Sequence, residues 1–263
     1  MKTAYIFDMD GVIFDSERLY IACSLAAAAE LGLPQEGVVE LCYRCIGVTP
    51  DRTKQIMLET YHDPVLVEAF RGRTVEMYLE KYKAGLLEMK PGVRELLSFL
   101  KEQGYPRAIA SSTPTEIVRQ ELSAAGILAY FDRVVGGDQA SRSKPNPDIF
   151  LRAADLLKTD PARCLVIEDS YNGIRAAKAA GMTAIMVPDQ LQPDEEMRML
   201  ADEIEPSLLH VLERLRAAVS PAACPEKAGI TDGSLRKGKN RGKTTRSCGS
   251  EKDKKRRKKM LDF

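Results

Sequence analysis

"AYIFDMDGVIFDSE", residues 4–17, is the stretch on which the reading of the whole chain turns. A short apolar run ends at Asp8, Asp10 and Gly11, so a buried strand stops on two acids separated by one residue. Like charges that close disfavour each other's ionised form, which makes a purely structural pair costly unless something positive sits between them. A cation or a basic side chain is therefore expected at this strand end. Gly11 is expected where the backbone turns sharply away.

Four further β-rich runs follow: "RAIASS" (107–112), "DRVVGG" (132–137), "CLVIEDS" (164–170) and "TAIMVP" (183–188), each leading into a turn or a helix start. Strands alternating with helices indicate an α/β fold whose parallel sheet is covered on both faces. In such sheets ligands bind outside the carboxyl ends of the strands. The most polar residues of these runs lie at those ends: Asp8 and Asp10, Ser111 and Ser112, Glu168 and Asp169.

Between the first and second strands, "SERLYIACSLAAAAELGL" and "DPVLVEAFRGRTVEMYLEKY" carry helical periodicity and no convincing strand. The expected organisation is a core of residues 1–15 and 86–217, an all-helical insertion over 16–85, and a tail over 218–263. Asp15 and Ser16 are expected to act as hinge and cap of the first inserted helix. The six cysteines are scattered, and the one C-x-x-C pair, Cys42 and Cys45, lies in a helical stretch with no second pair to complete a metal site, so packing thiols are expected.

The net charge of +1 conceals an asymmetry. Residues 222–263 hold 14 Lys+Arg against 5 Asp+Glu, about +9, which leaves the rest near −8. A tail rich in Lys, Gly and Ser, with few apolar residues, is expected to be disordered, and its charge is compatible with weak contact to nucleic acid or another acidic surface. No run approaches the roughly 20 apolar residues of a membrane span, and no secretory leader is evident, so a cytoplasmic, monomeric protein without a membrane partner is expected.

A carboxylate can attack phosphorus and form an aspartyl-phosphate, which splits one difficult hydrolysis into two easier steps. Asp8 is the candidate nucleophile. Asp10 is the candidate acid and base, giving a proton to the leaving oxygen and taking one from water. Carboxylates approach a phosphate only with help from a cation, and Mg²⁺ suits a site with few protein oxygens. Asp8, Asp10 and Asp169 are its candidate ligands, with Glu168 binding directly, through water or from behind. Lys144, ahead of "PNP", and Ser111, through its hydroxyl and backbone N–H, are candidates for holding the phosphoryl oxygens, with Ser112 and Thr113 assisting.

The elements "DMDGVIFDSE", "IASS", "KPNPDIF" and "IEDSYNGIRAAKAAGM" together resemble the four motifs of the haloacid dehalogenase superfamily, over about residues 3–216 and in the expected order. More narrowly they resemble its β-phosphoglucomutase-like and phosphoglycolate-phosphatase-like branch. The resemblance implies a Rossmann-like core, a helical cap inserted after the first strand, Mg²⁺ and an aspartyl-phosphate. It also implies phosphoryl chemistry over dehalogenation, since true dehalogenases lack the acid that stands here as Asp10. In the branch's sugar mutases, the first cap helix carries a histidine and an arginine follows a Gly-Val element. Tyr20 and, after Gly47-Val48-Thr49, Pro50 stand at those positions here. Arg52 is a candidate substitute for the arginine and, with Gly47 and Ser112, a candidate substrate contact. Arg44, Lys54, Arg71 and Arg73 are other cap cations. The expected function is a Mg²⁺-dependent phosphatase of small phosphorylated metabolites such as sugar phosphates. The alternatives are a sugar phosphomutase and, from another class, a binding protein led by its tail.

Overall fold

Strand β1 (Ala4–Phe7) is buried at every position, and Phe7 and Ile6 are among the largest side chains wholly removed from solvent. Burying such a side chain contributes about 1.5–3 kcal/mol, so β1 is held by both of its faces. The computed structural model describes residues 3–219, and the expectation of a disordered basic tail falls outside them. The chain up to Leu212 forms one compact unit; a second begins at Glu213, within helix α10 (Leu208–Val219).

Around β1 lie β2 (Arg107–Ala110), β3 (Arg133–Val135), β4 (Cys164–Glu168), β5 (Thr183–Met186) and β6 (Glu203–Ile204). All pairings are parallel, in the order β3-β2-β1-β4-β5-β6, with Phe7 opposite Ile109 on one side and Ile167 on the other. The chain builds outward from β1 through β2 and β3, then returns to β1's other edge with β4. That reversal leaves a crevice at the carboxyl ends of β1 and β4. Helices α5 (Val93–Glu102), α6 (Thr115–Ala124), α7 (Asp148–Leu156), α8 (Tyr171–Ala179) and α9 (Glu195–Leu200) complete this part with α10. The five strand runs of the sequence are β1 to β5; the two-residue β6 was not anticipated.

The segment between β1 and α5 is helical throughout: α1 (Ser16–Glu30), α2 (Val38–Cys45), α3 (Pro50–Tyr61) and α4 (Pro64–Lys83). These helices have an apolar cluster of their own, including Ala27, Val38, Leu41, Met57, Val67 and Phe70. Helix α4 starts with Pro64 at its first position and Asp63 accepting the N–H groups of Val65 and Leu66. Ser16 does not cap α1. It is the first helical residue, Asp15 holds the cap position without a side-chain cap bond, and the Ser16 hydroxyl turns toward Asp10. Besides that Ser16 contact, Ser112 Oγ donates to the Gly47 carbonyl (3.0 Å) and the Thr49 N–H donates to Ser143 Oγ (3.2 Å), tying this region to the sheet region.

Phe70 is fully buried in the helical cluster, so Phe70→Ala is expected to cost about 3–5 kcal/mol in denaturant unfolding. A loss below about 1 kcal/mol would show that this cluster does not stabilise the chain.

Candidate active site

The cation expected beside Asp8 is a side chain. Lys144, buried, places Nζ 2.7 Å from Asp8 Oδ1 and 2.7 Å from Glu168 Oε1, joining the ends of β1 and β4 to the loop before α7. Burial works against the ammonium, but Asp8 and Glu168 outweigh it and hold Lys144 protonated well above its ordinary range. Glu168 uses its other oxygen to accept the Ser170 N–H (2.7 Å), and the Ser170 hydroxyl caps α8 at Gly173. A side chain at Gly173 would put Cβ 1.6 Å from Glu168 Oε1, so only glycine lets α8 pass behind that carboxylate.

Asp8, Glu168 and Asp169 each offer a carboxylate oxygen, and these three lie within 4.8 Å of one another, all buried. Three carboxylates against one ammonium leave an excess of two negative charges when all are ionised. Burial, with lesser contributions from Glu168 and Asp10 and against the pull of Lys144, pushes Asp8 up to about 8. Burial, then Glu168 and Asp8, pushes Asp169 well above the carboxylate range. Asp169 Oδ2 is buried without a hydrogen-bond partner. An orphaned oxygen in an all-oxygen cluster short of two positive charges fits a hard divalent cation. Gly11, at φ +76°, closes one side: a Cβ there would lie 2.3 Å from Asp169 Oδ2.

The Asp10 carboxylate is not in that group. Its Oδ1 accepts from Ser16 Oγ (2.7 Å), and its Oδ2 accepts from Thr113 Oγ1 (3.0 Å) and Ser111 Oγ (3.3 Å). The two acids of the opening motif thus occupy different surroundings, Asp8 facing an ammonium and Asp10 a ring of hydroxyls. The Ser111 hydroxyl also accepts the Thr113 N–H, while Ser111's own N–H is committed to the Val135 carbonyl and is not free for a ligand as expected.

Asp8 and Asp10 line a cavity of about 250 Å³ between the sheet region and the inserted helices. Its lining includes Gly47 and Ser112, the anticipated contacts, with Tyr20 and Pro50. Arg52 is not there. It lies on α3, bonded to Gln55 (3.2 Å) and Glu59 (3.0 Å). The cap cation that lines the cavity is Arg71 from α4, while Arg44, Lys54 and Arg73 are engaged by Thr60, Glu68 and Glu30. Sequence reasoning passed over Glu17, Tyr78 and Glu121, and gave Ser16 only a capping role. For Glu121 a signal existed: with Val118 and Leu122 it forms the buried stripe of α6, an acid at an apolar position.

The haloacid dehalogenase-like hydrolase family matches residues 5–187. The chain belongs to this family. It is 36% identical over 182 residues to the phosphorylated carbohydrates phosphatase of Thermotoga maritima, covering 69% of this chain and 83% of that one. It is 32% identical over 204 residues to hexitol phosphatase B of Escherichia coli K12, covering 76% and 89%. Among solved structures, CbbY from Rhodobacter sphaeroides in complex with phosphate superposes with a TM-score of 0.66 at 27% identity, over 80% of this chain and 96% of that one. The α/β core with its parallel six-stranded sheet is the fold of this family, and the chain is a hydrolase of phosphoric monoesters. No helix among the described residues is long and apolar enough to cross a membrane.

A folded-state pKa near 8 for Asp8, against 3.8 as its ordinary value, means that the folded chain binds more protons than the unfolded chain between those limits. Stability of the metal-free chain is then highest below about pH 4 in this respect and falls as pH rises toward about 8. Melting in EDTA is expected to give a lower Tm at about pH 8 than at about pH 6 from this group. Added Mg²⁺ is expected to raise Tm more at the higher pH, where it meets ionised carboxylates. An equal or smaller shift at the higher pH would contradict the carboxylate cluster as the binding site.

Proposed function

We propose that the protein is a Mg²⁺-dependent phosphatase of small phosphorylated metabolites, sugar phosphates and related compounds, acting through an aspartyl-phosphate on Asp8. The observation that carries this reading is the division of labour between two acids two residues apart: Asp8 held by Lys144, Asp10 held by three hydroxyls. Phosphatase relatives that act on phosphorylated carbohydrates and hexitols support the substrate class.

Asp8, Glu168 and Asp169 would hold the Mg²⁺. When bound, it supplies the charge that lets a carboxylate approach a phosphate dianion. An Asp8 oxygen attacks phosphorus and the bond from phosphorus to the substrate's oxygen breaks; the departing oxygen takes the proton of a neutral Asp10. Water then attacks the phosphorus, yields its proton to Asp10, and the bond to Asp8 breaks, which restores both acids. A hydroxyl can donate to a carboxylate or accept from a carboxyl, so Ser16, Ser111 and Thr113 can serve Asp10 in both of its protonation states. Lys144 orients Asp8 and offsets charge on the phosphoryl oxygens. Val48, Val75, Leu79 and Ile117 give the cavity apolar walls that limit stray water.

Hydrolysis is favoured over isomerisation by Tyr20. A mutase must withhold its base until a sugar hydroxyl arrives, and a titrating imidazole suits that task. Burial, then Cys42 and Cys45, holds the Tyr20 phenol well above its ordinary range, so it stays neutral and exchanges no proton near neutrality. With Pro50 lining the cavity, the mutase pair has no counterpart at its usual positions.

Asp8→Asn is expected to reduce phosphate release with Mg²⁺ by at least about 1,000-fold with the fold retained, because an amide is a poor nucleophile. Wild-type-like turnover would rule out the covalent route. With β-glucose 1-phosphate, free phosphate is expected without any bisphosphate activator; glucose 6-phosphate formed in excess of phosphate would make the protein a mutase.

A further inference from the structure

Glu121 is 5% exposed, and its Oε2 is buried with no hydrogen-bond partner, yet it lines the same cavity as Asp8 and Asp10. Glu17, from α1, lines the same cavity, and neither acid has a part in the phosphoryl chemistry above. An unpaired oxygen in a buried position is expensive unless a ligand completes it. Tyr20, Tyr78 and Thr53, all neutral hydrogen-bonding side chains, share the lining, and among the described residues Arg71 is its one basic residue against Asp8, Asp10, Glu17 and Glu121.

We propose that Glu121 and Glu17 determine specificity for the leaving group, accepting a neutral, hydroxyl-bearing one such as a sugar or alditol and rejecting one that carries a second anionic group. The inference rests on the phosphatase reading and deepens it. Four acids against one arginine make the cavity hostile to a second phosphate or carboxylate, while a hydroxyl fits a carboxyl in either protonation state. Burial, and next the charge of Asp10, pushes Glu121 up to about 8; burial, then Asp10 and Asp8, raises Glu17 well above its ordinary range. The burial and neighbouring acids that make these two carboxyls reluctant to ionise equally disfavour a second phosphate or carboxylate in the same place.

The test compares two open-chain six-carbon phosphates that differ in charge, sorbitol 6-phosphate and 6-phosphogluconate, with p-nitrophenyl phosphate as a leaving group without sugar hydroxyls. The full chain with Mg²⁺ is expected to prefer sorbitol 6-phosphate to 6-phosphogluconate. In Glu121→Leu, kcat/KM for sorbitol 6-phosphate relative to p-nitrophenyl phosphate is expected to fall by about ten- to a hundredfold. In Glu121→Gln and Glu17→Gln, 6-phosphogluconate is expected to gain about tenfold on sorbitol 6-phosphate. Unchanged ratios in all three variants, or a parent that prefers 6-phosphogluconate, would overturn the assignment while leaving a phosphatase. A parent that releases phosphate from none of the three, p-nitrophenyl phosphate included, would overturn the phosphatase reading and this inference with it.

Discussion

One buried ammonium organises the site. Lys144 lies between Asp8 and Glu168, at 2.7 Å from each, and so joins three segments far apart in sequence: the end of β1, the end of β4 and the loop before α7. Taking such charges out of water is costly and is offset only by close geometry with further hydrogen bonds. Both conditions hold here. Glu168 is completed by the Ser170 N–H, Ser170 caps α8, and Gly173 gives α8 room to approach. The arrangement is incomplete in one respect, since a third buried carboxylate, Asp169, retains an orphaned oxygen. The same strand ends that satisfy one positive charge therefore call for another.

From this follows the difference between two acids that look alike in the sequence. Asp8 is fixed by Lys144 in a buried, charge-rich setting that suits a nucleophile. Two residues on, past the turn toward Gly11, Asp10 reaches hydroxyls from α1 and from the loop after β2. The Ser16 contact is notable because it comes from the first residue of the inserted helices, and so links the entry to the cap with Asp10. Ser112 on Gly47 and Ser143 under Thr49 form a second seam between the two regions. The proposed chemistry thus lies at the strand ends, and the proposed choice of leaving group falls to the walls above them.

Much of this was legible in the sequence. Strands β1 to β5 are apolar runs that end in polar residues, and the parallel order follows from their alternation with helices. Lys144, Glu168 and Asp169 stood out because their motifs lie beside Pro-rich or strand-end signals. Strand β6 escaped because two residues, Glu203 and Ile204, carry no periodicity. Arg52 was a poor choice for a physical reason: at the start of α3 its nearest partners are one turn and two turns along its own helix, at Gln55 and Glu59. Arg71 and Tyr78 reach the cavity from α4, a helix far from the motifs in sequence, and only the way it packs reveals which face it presents; Glu121 comes from α6, just after Ser111–Thr113, where an acid at an apolar position was the signal.

The central claim is that Asp8 takes the phosphoryl group. An acyl phosphate is reduced by borohydride, whereas a free carboxylate is not, so the chain can be quenched during turnover of a sugar phosphate with Mg²⁺, reduced, and its N-terminal peptides weighed. Reduction at Asp8 alone, dependent on substrate, is the predicted result. Steady phosphate release with Asp8 unmodified, or with reduction at Asp10 or Asp169 in its place, would contradict the account.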